Sequence, residues 1–309
     1  MTSPGFAVRP AESPGAWVKR TVNGLVDPVI EHIQKAPSDP GETAHLIRVA
    51  TKQLRALLRL LRPAIPERAF QHHNTKLKAI AASLATGRDR DVSRETLALL
   101  AGNPKRKRYQ ILMTLAPLLE TGASPEADHA SLPELQKAAQ ALDRSRHALL
   151  RMRIPSGAWS PLLQGMIKTF RRARRRRKQA LSHPDDDTFH RWRIPVKQLY
   201  FQLQWLEPLW PKRFQKMIRN LHRLEKKLGS DHDLSVLQNL LTPPGKQIHP
   251  HPLTVLSKAI TKHHRHLRHR AKSLGQKLFH PSSNHFANHG RQHAYHLLSG
   301  IDSKNKKPP

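Results

Sequence analysis

The chain has 309 residues, of which 54 are Lys or Arg and 22 are Asp or Glu, so its formal net charge is +32 with histidine neutral. Its length and its 38% apolar residues exclude wholesale disorder, and the absence of cysteine excludes disulfides, thiolate metal sites and cysteine nucleophiles. A chain this cationic repels itself without an anionic partner, so the charge favours nucleic acid, a phosphate polymer or an anionic membrane surface.

The two ends and the middle of the chain are predicted to lie outside the folded part. Residues 1–15 are rich in Pro, Gly and Ser and residues 301–309 are polar and charged, so both are expected to be disordered tails. Residues 121–133, TGASPEADHASLP, are typical of a linker. This predicts a domain at 16–300, with a first half at 16–120 and a second half at 134–300. The N-terminus lacks the apolar core of a signal peptide and no run is apolar enough to cross a bilayer, which indicates a cytoplasmic protein without a membrane span.

Residues 45–63, HLIRVATKQLRALLRLLRP, predict an amphipathic helix. Asp39 is a good N-cap, Pro40 suits the first helical position and Glu42 fits a capping box. At about 100° per residue the leucines lie on one side of this helix. The other side carries a stripe without interleaved acidic residues, made of His45, Arg48, Lys52, Arg55, Arg59 and Arg62. Such a stripe is destabilised by repulsion unless an anion such as phosphate lies against it.

The same pattern returns in the second half of the chain. HLIRVATKQL at 45–54 matches HRWRIPVKQL at 190–199, and LRPAIPER at 61–68 matches LEPLWPKR at 206–213, both at an offset of 145. LATGRDRDV at 84–92 matches LGSDHDLSV at 228–236 at an offset of 144. A solvated basic face is the alternative for any single helix, but the recurrence of one residue order favours two copies of a helical unit with a shared role. The second stripe contains His190, Arg193 and Lys197, followed by Tyr200 and Gln204.

The predicted helix that contains the arginine-rich segment at 170–181 carries a third basic stripe. Its members are Lys168, Arg171, Arg175 and Lys178. Further basic segments occur at 104–110, 144–153 and 262–272, and together they predict an extended basic surface. We call the predicted helices whose basic stripes begin at His45 and His190 the histidine-led helices. The sequence does not show whether the arginine-rich segment contacts the same ligand as these two helices.

Neither a metal site nor a catalytic site is predicted. His263, His266 and His269 share a helical arc of about 120°, but the flanking arginines oppose a dication and no carboxylate completes a ligand set. Asp89 and Asp233 follow Arg88 and His232 directly. A catalytic pair would need partners that the sequence does not show, so these carboxylates are expected to cap helices or to orient cations.

The motifs H-x-x-R-[VI]-x-x-K-Q-L and L-[AG]-x-x-[RH]-D, each present twice, resemble the CHAD domain, the conserved histidine α-helical domain. The resemblance extends over about residues 17–300. It implies an all-α fold of two helical bundles related by an internal pseudo-twofold repeat, with basic helices facing a central groove or channel. It also implies non-enzymatic binding of inorganic polyphosphate and suggests a location at polyphosphate granules.

The predicted polyphosphate-binding residues come from this resemblance and from helical periodicity. The resemblance implies His45, Arg48, Lys52, Arg55, Arg88, His190, Arg193, Lys197 and His232, and periodicity adds Arg59, Arg171, Arg175 and Lys178. If the histidines take part, binding is expected to be tighter at about pH 6 than at about pH 8. The alternative is an architectural DNA- or RNA-binding protein, although aromatic residues are 5% and are not interleaved with the stripes, which disfavours base stacking. No cofactor is predicted.

Overall fold

The computed structural model describes residues 4–9, 12–35, 39–84, 86–119, 130–155, 159–209, 211–242 and 249–280. These residues form helices and contain no strand, so the all-α prediction is confirmed for this part of the chain. The α-helices are α1 (Pro14–Gln34), α2 (Pro40–Leu61), α3 (Glu67–Ala82), α4 (Thr86–Ala101), α5 (Lys107–Met113), α6 (Leu132–Leu150), α7 (Trp159–Ser182), α8 (Asp186–Trp205), α9 (Pro211–Leu241) and α10 (Pro250–Phe279). Short 3-10 turns lie at Pro4–Phe6, Arg62–Ala64, Ala116–Leu119 and Glu207–Leu209.

Both histidine-led helices begin at an aspartate cap. The Asp39 carboxylate accepts from the backbone of Gly41 at 2.7 Å, and the Asp185 carboxylate accepts from the backbone of Thr188, also at 2.7 Å. Each cap pairs backbone N–H groups that the first helical turn leaves without a partner. The helix α8 continues through Pro195, which is buried within it.

Most of the described N-terminal segment is packed rather than free, which corrects the prediction of a tail at 1–15 for residues 4–9 and 12–15. The Val8 backbone donates to the carbonyl of Trp205 at 2.9 Å, and the indole of Trp17 donates to the carbonyl of Phe6 at 2.9 Å. The predicted linker at 121–133 ends earlier than expected, because Ser131 and Glu134 form a capping box at the start of α6. The remaining linker residues up to 129, and the tail at 301–309, lie outside the described residues.

The hydrophobic core has two parts, which do not coincide with the two sequence halves. The larger part joins α1, α2, α3, α6, α7 and α8 with the beginning of α9 and the end of α10, and its indole rings of Trp17 and Trp159 lie 5.8 Å apart. The smaller part joins α4 and α5 with the end of α9 and the beginning of α10. Helices of both halves therefore share each core, and α9 and α10 span the two.

At the repeat offset, α1 corresponds in sequence to α7 and α2 corresponds to α8. The two helices α3 and α4 together correspond to the single helix α9. The offset changes from 145 to 144 where α3 ends and α4 begins, and α9 continues unbroken at the matching residues. The two halves therefore differ in their number of helices at this point. The pseudo-twofold relation of the halves stays a prediction.

Candidate anion-binding site

The helices α2 and α8 pack against each other and bring cations of both sequence halves together. Lys52 on α2 is half-buried, and burial, together with the positive charges of Lys197, Arg48 and Arg193, lowers its pKa to about 8. We call these four residues the lysine cluster. Since the repeat predicts Lys52 and Lys197 as equivalent residues, the structure brings the matching positions of the two stripes to one place.

Carboxylates from neighbouring helices offset part of the charge of the lysine cluster. A guanidinium nitrogen of Arg48 lies 3.6 Å from Asp89 on α4, and another donates to the carbonyl of Leu84 at 2.7 Å. Glu225 on α9 lies 3.0 Å from the Lys197 ammonium and 4.0 Å from the Arg193 guanidinium. The expectation of uncompensated stripes is therefore correct within each helix and wrong across helices, because the compensating carboxylates come from α4 and α9.

Further along α2, Arg55 and Arg59 meet an arginine of α7. Arg172 is half-buried, and burial with the charges of Arg59, Arg176, Arg175 and Arg55 lowers its pKa to about 10. Burial and the neighbouring Arg62 and Arg55 likewise lower the pKa of Arg59 to about 10, and burial lowers that of Arg55. All three guanidinium groups thus stay charged at neutral pH although their surroundings oppose the charge. We call Arg55, Arg59 and Arg172 the arginine corner.

The matching part of α8 is not cationic. Tyr200 stands where α2 has Arg55, and its ring stacks on the imidazole of His222 with a centroid distance of 5.4 Å. Gln204 stands where α2 has Arg59, and its amide donates to the Tyr200 hydroxyl at 3.2 Å. The excess of positive charge in the site consequently lies toward α2 and α7 rather than α8.

Two of the predicted histidines form a pair beside the lysine cluster. The Nδ1 atoms of His190 and His232 lie 3.2 Å apart, and the ring centroids are separated by 4.3 Å. Burial and then the nearby Arg193 lower the pKa of His190, while burial, His190 and Arg193 lower that of His232 to about 4. His232 is neutral in the free protein at about pH 6 and at about pH 8, which corrects the basis of the expected pH dependence for this residue.

The buried carboxylate of Asp231 anchors the segment that carries His232. It accepts from the Nδ1 of His264 at 2.6 Å and from the Nε of Arg268 at 3.0 Å, both on α10. Arg268 also reaches Asp186 in the first turn of α8. Arg268 of α10 therefore links α8 and α9 next to the histidine pair, through Asp186 and Asp231. Asp89 orients Arg48 as expected, whereas Asp233 lies inside α9 and caps no helix.

The structure places the other predicted residues differently. His45 is exposed on the first turns of α2, and the Arg88 side chain lies outside the described part of the structure. Arg171, Arg175 and Lys178 are exposed on α7, while Arg172, Arg174, Arg176 and Arg177 are half-buried on that helix. The predicted residues of α7 therefore lie on its exposed face, and Arg172 is not among them. One feature of the sequence does indicate that Arg172 is partly buried. It lies between Phe170 and Ala173, which are buried, and therefore at the border of the apolar face of α7.

The described residues hold no cluster of three or more His, Cys, Asp or Glu side chains that could bind a metal ion. In the histidine-rich part of α10, the Nδ1 of His263 donates to the carbonyl of Ala259 at 2.9 Å, and His264 is engaged with Asp231. None of the described helices combines the length and the apolarity that crossing a membrane requires.

The described structure is thus an all-α protein with a half-buried cationic site between its helices, and the comparisons with known proteins agree with the all-α fold. The family model of the CHAD domain matches residues 24–242, so the chain belongs to the CHAD domain family. The crystal structure of the CHAD domain from the plant Ricinus communis is similar in fold, with a TM-score of 0.57 and 19% identity, and the match covers 91% of this chain and 96% of that one. No curated protein gives a significant match.

Proposed function

We propose that the protein binds inorganic polyphosphate in the lysine cluster and the arginine corner without chemical change to the polymer. The observation that carries this proposal is the set of four half-buried cations Lys52, Arg55, Arg59 and Arg172. Among the described residues none of the four forms an ion pair, and burial lowers the pKa of each. Groups held in this way are stabilised by an anion that enters the site.

Polyphosphate suits this arrangement because it is a flexible, unbranched chain with a negative charge on every phosphate. Guanidinium groups donate two parallel hydrogen bonds to phosphate oxygens, and a lysine contributes a mobile charge. Binding would release counterions, so affinity should fall steeply with salt, as it does for nucleic acids. We place the protein where polyphosphate accumulates, including cytoplasmic polyphosphate granules, and a fluorescent fusion that fails to follow the granules would contradict that location.

Binding of DNA or RNA is the second candidate, and a different observation favours it. Exposed cations cover α7 at Arg171, Arg175 and Lys178 and α10 at Arg265 and Arg270, where a wide duplex has access. The lysine cluster and the arginine corner are half-buried between helices instead. The two candidates therefore predict different contact residues, which makes them separable by mutation.

The test is a titration of long polyphosphate and of duplex DNA at equal charge, over a series of chloride concentrations. The double variant Arg55→Ala/Arg59→Ala should bind polyphosphate at least about ten-fold more weakly than the unaltered protein, because two buried donors to phosphate are lost. The matched control Arg265→Ala/Arg270→Ala removes the same charge from an exposed face and should change polyphosphate affinity by less than about two-fold. Circular dichroism would check that both variants stay helical.

Two results would contradict polyphosphate binding at this site. One is DNA binding that equals or exceeds polyphosphate binding at every salt concentration, with the α10 control weakened most. The other is equal polyphosphate affinity of the Arg55/Arg59 variant and the α10 control.

A further inference from the structure

The arginine corner lies where three helices close against each other. Gly165 of α7 packs on the backbone of Leu60, so closely that a side chain on Gly165 would overlap the Leu60 carbonyl. On the α8 side, Gln202 donates to the carbonyl of Ala56 at 2.9 Å. Backbone contact at Leu60 and Gly165 leaves no room for a polymer between α2 and α7 at the end of α2. A chain that enters the corner from the lysine cluster has no path onward between these helices.

Positive charge is concentrated in this corner more than elsewhere in the described site. Arg55 donates to the amide oxygen of Asn74 at 3.2 Å and Arg172 donates to Gln198, so neutral groups hold both guanidiniums. The Arg59 guanidinium lies 4.6 Å from the ring centroid of Phe70, and its Nε is buried without a hydrogen-bond partner. Each guanidinium carries five N–H donors, and the hydrogen bonds to Asn74 and Gln198 occupy only some of the donors in the corner.

The carboxylates near the site lie on either side of the corner. Asp89 and Glu225 contact the lysine cluster, and Glu67 just beyond α2 accepts two hydrogen bonds of 2.8 Å from Arg62. A phosphate chain that continued past Arg59 along the surface would meet the exposed carboxylate of Glu67. The close packing of α2 against α7 and the negative charge of Glu67 therefore both favour a polyphosphate chain that ends in the arginine corner.

We propose that the arginine corner binds the terminal phosphate of a polyphosphate chain, while the lysine cluster holds the phosphates that follow it. A terminal phosphate has three non-bridging oxygens and a second charge near neutral pH, since the second pKa of a phosphate monoester is about 6. An interior phosphate has two such oxygens and a single charge. Three guanidiniums from two helices match the terminal group. This inference rests on the proposed function and specifies it, because it means that the protein recognises the ends of polyphosphate chains.

The experiment compares two preparations of one long polyphosphate, the first with free ends and the second with both ends blocked as phosphoramidates. Blocking leaves nearly all the charge in place but gives each end the charge of an interior phosphate. The blocked polymer should bind at least about ten-fold more weakly, since the charge-assisted bonds to the end are lost. Arg172→Gln should reduce this difference to less than about two-fold, whereas the exposed control Arg265→Gln should keep it.

Competition with linear tripolyphosphate provides a second measurement that does not depend on a variant. End binding predicts that polymers of different length inhibit equally at equal concentrations of chains, while interior binding predicts equal inhibition at equal concentrations of phosphate units. Equal affinity of free-ended and blocked polymer would overturn the inference and leave polyphosphate binding intact. Failure of both preparations to bind would overturn the proposed function itself.

Discussion

Lys52 is half-buried where the two histidine-led helices meet, with Lys197, Arg48 and Arg193 as charged neighbours. Burial contributes most to the fall of its pKa from the ordinary 10.5 to about 8. The unfolded chain therefore binds this proton more tightly than the folded protein does, and stability rises with pH between about 8 and about 10.5. Below about pH 8 the charge of Lys52 opposes folding in full, unless an anion is bound beside it.

The variant Lys52→Met is therefore expected to be more stable than the unaltered protein at neutral pH, by roughly 1–3 kcal/mol, and to bind polyphosphate more weakly. The gain should shrink as the pH rises from about 8 through about 10.5, and it should vanish above that range, where the lysine becomes neutral in both states. Urea unfolding of both proteins at several pH values measures this difference in the free energy of unfolding. Lys197→Met is the matched control, and because it removes the partner 3.0 Å from Glu225 it should give no such gain. Lower stability of Lys52→Met at pH 7 would contradict the account.

Sequence reasoning finds the cations of α2 because their spacing on one helix is visible without any knowledge of the tertiary structure. Arg48, Lys52, Arg55 and Arg59 recur every three or four residues, which places them on one face of any helix. Glu225 could not be assigned in this way, since it meets Lys197 from another helix and is 28 residues away. Compensation across helices depends on how the helices pack, and the periodicity of each helix carries no information about that.

The crossing of α2 and α7 depends on the absence of a side chain at Gly165. The arginines of α7 give that helix several basic faces, and the close approach at Leu60 helps to determine which face meets α2. Periodicity alone could not choose between Arg171 and Arg172, which lie about 100° apart on the helix. The packing of Gly165 against α2 brings Arg172 toward Arg59 and leaves Arg171 exposed.

The variant Gly165→Ala should therefore destabilise the protein by about 2–3 kcal/mol or more, because the added methyl group forces α2 and α7 apart. Thermal unfolding measures this, and Gly15→Ala is the control, since a methyl group at Gly15 has no atom within 4 Å. The control should be neutral or slightly stabilising. If Gly165→Ala unfolds like the control, α2 and α7 are not in backbone contact and the closed end of the arginine corner does not exist.

The molecule as a whole combines a high net charge with two hydrophobic cores that α9 and α10 connect. The two cores share these helices rather than dividing at the linker, so the chain halves do not correspond to separable folding units. The sequence could not predict this sharing, because the spacing of apolar residues along a helix does not specify which other helix covers its apolar face. The lysine cluster draws on α2 and α8, and the arginine corner on α2 and α7, so each part of the site requires the assembled fold.

A net charge of +32 makes the stability of the free protein depend on the ionic medium. Raising chloride should raise the Tm of the ligand-free protein, because screening over about 8–10 Å weakens the repulsion among its cations. Polyphosphate should raise the Tm at low salt by an amount that grows with its concentration, equivalent to about 2.7 kcal/mol at a hundred times the Kd. This increment should decrease as chloride rises, because counterion release then contributes less to binding. Arg55→Ala/Arg59→Ala should show a smaller polyphosphate increment than the α10 control, which has the same net charge. A ligand-free Tm that falls on moderate addition of chloride would show that the ion pairs of Glu225, Asp231 and Glu67 outweigh the repulsion in the site.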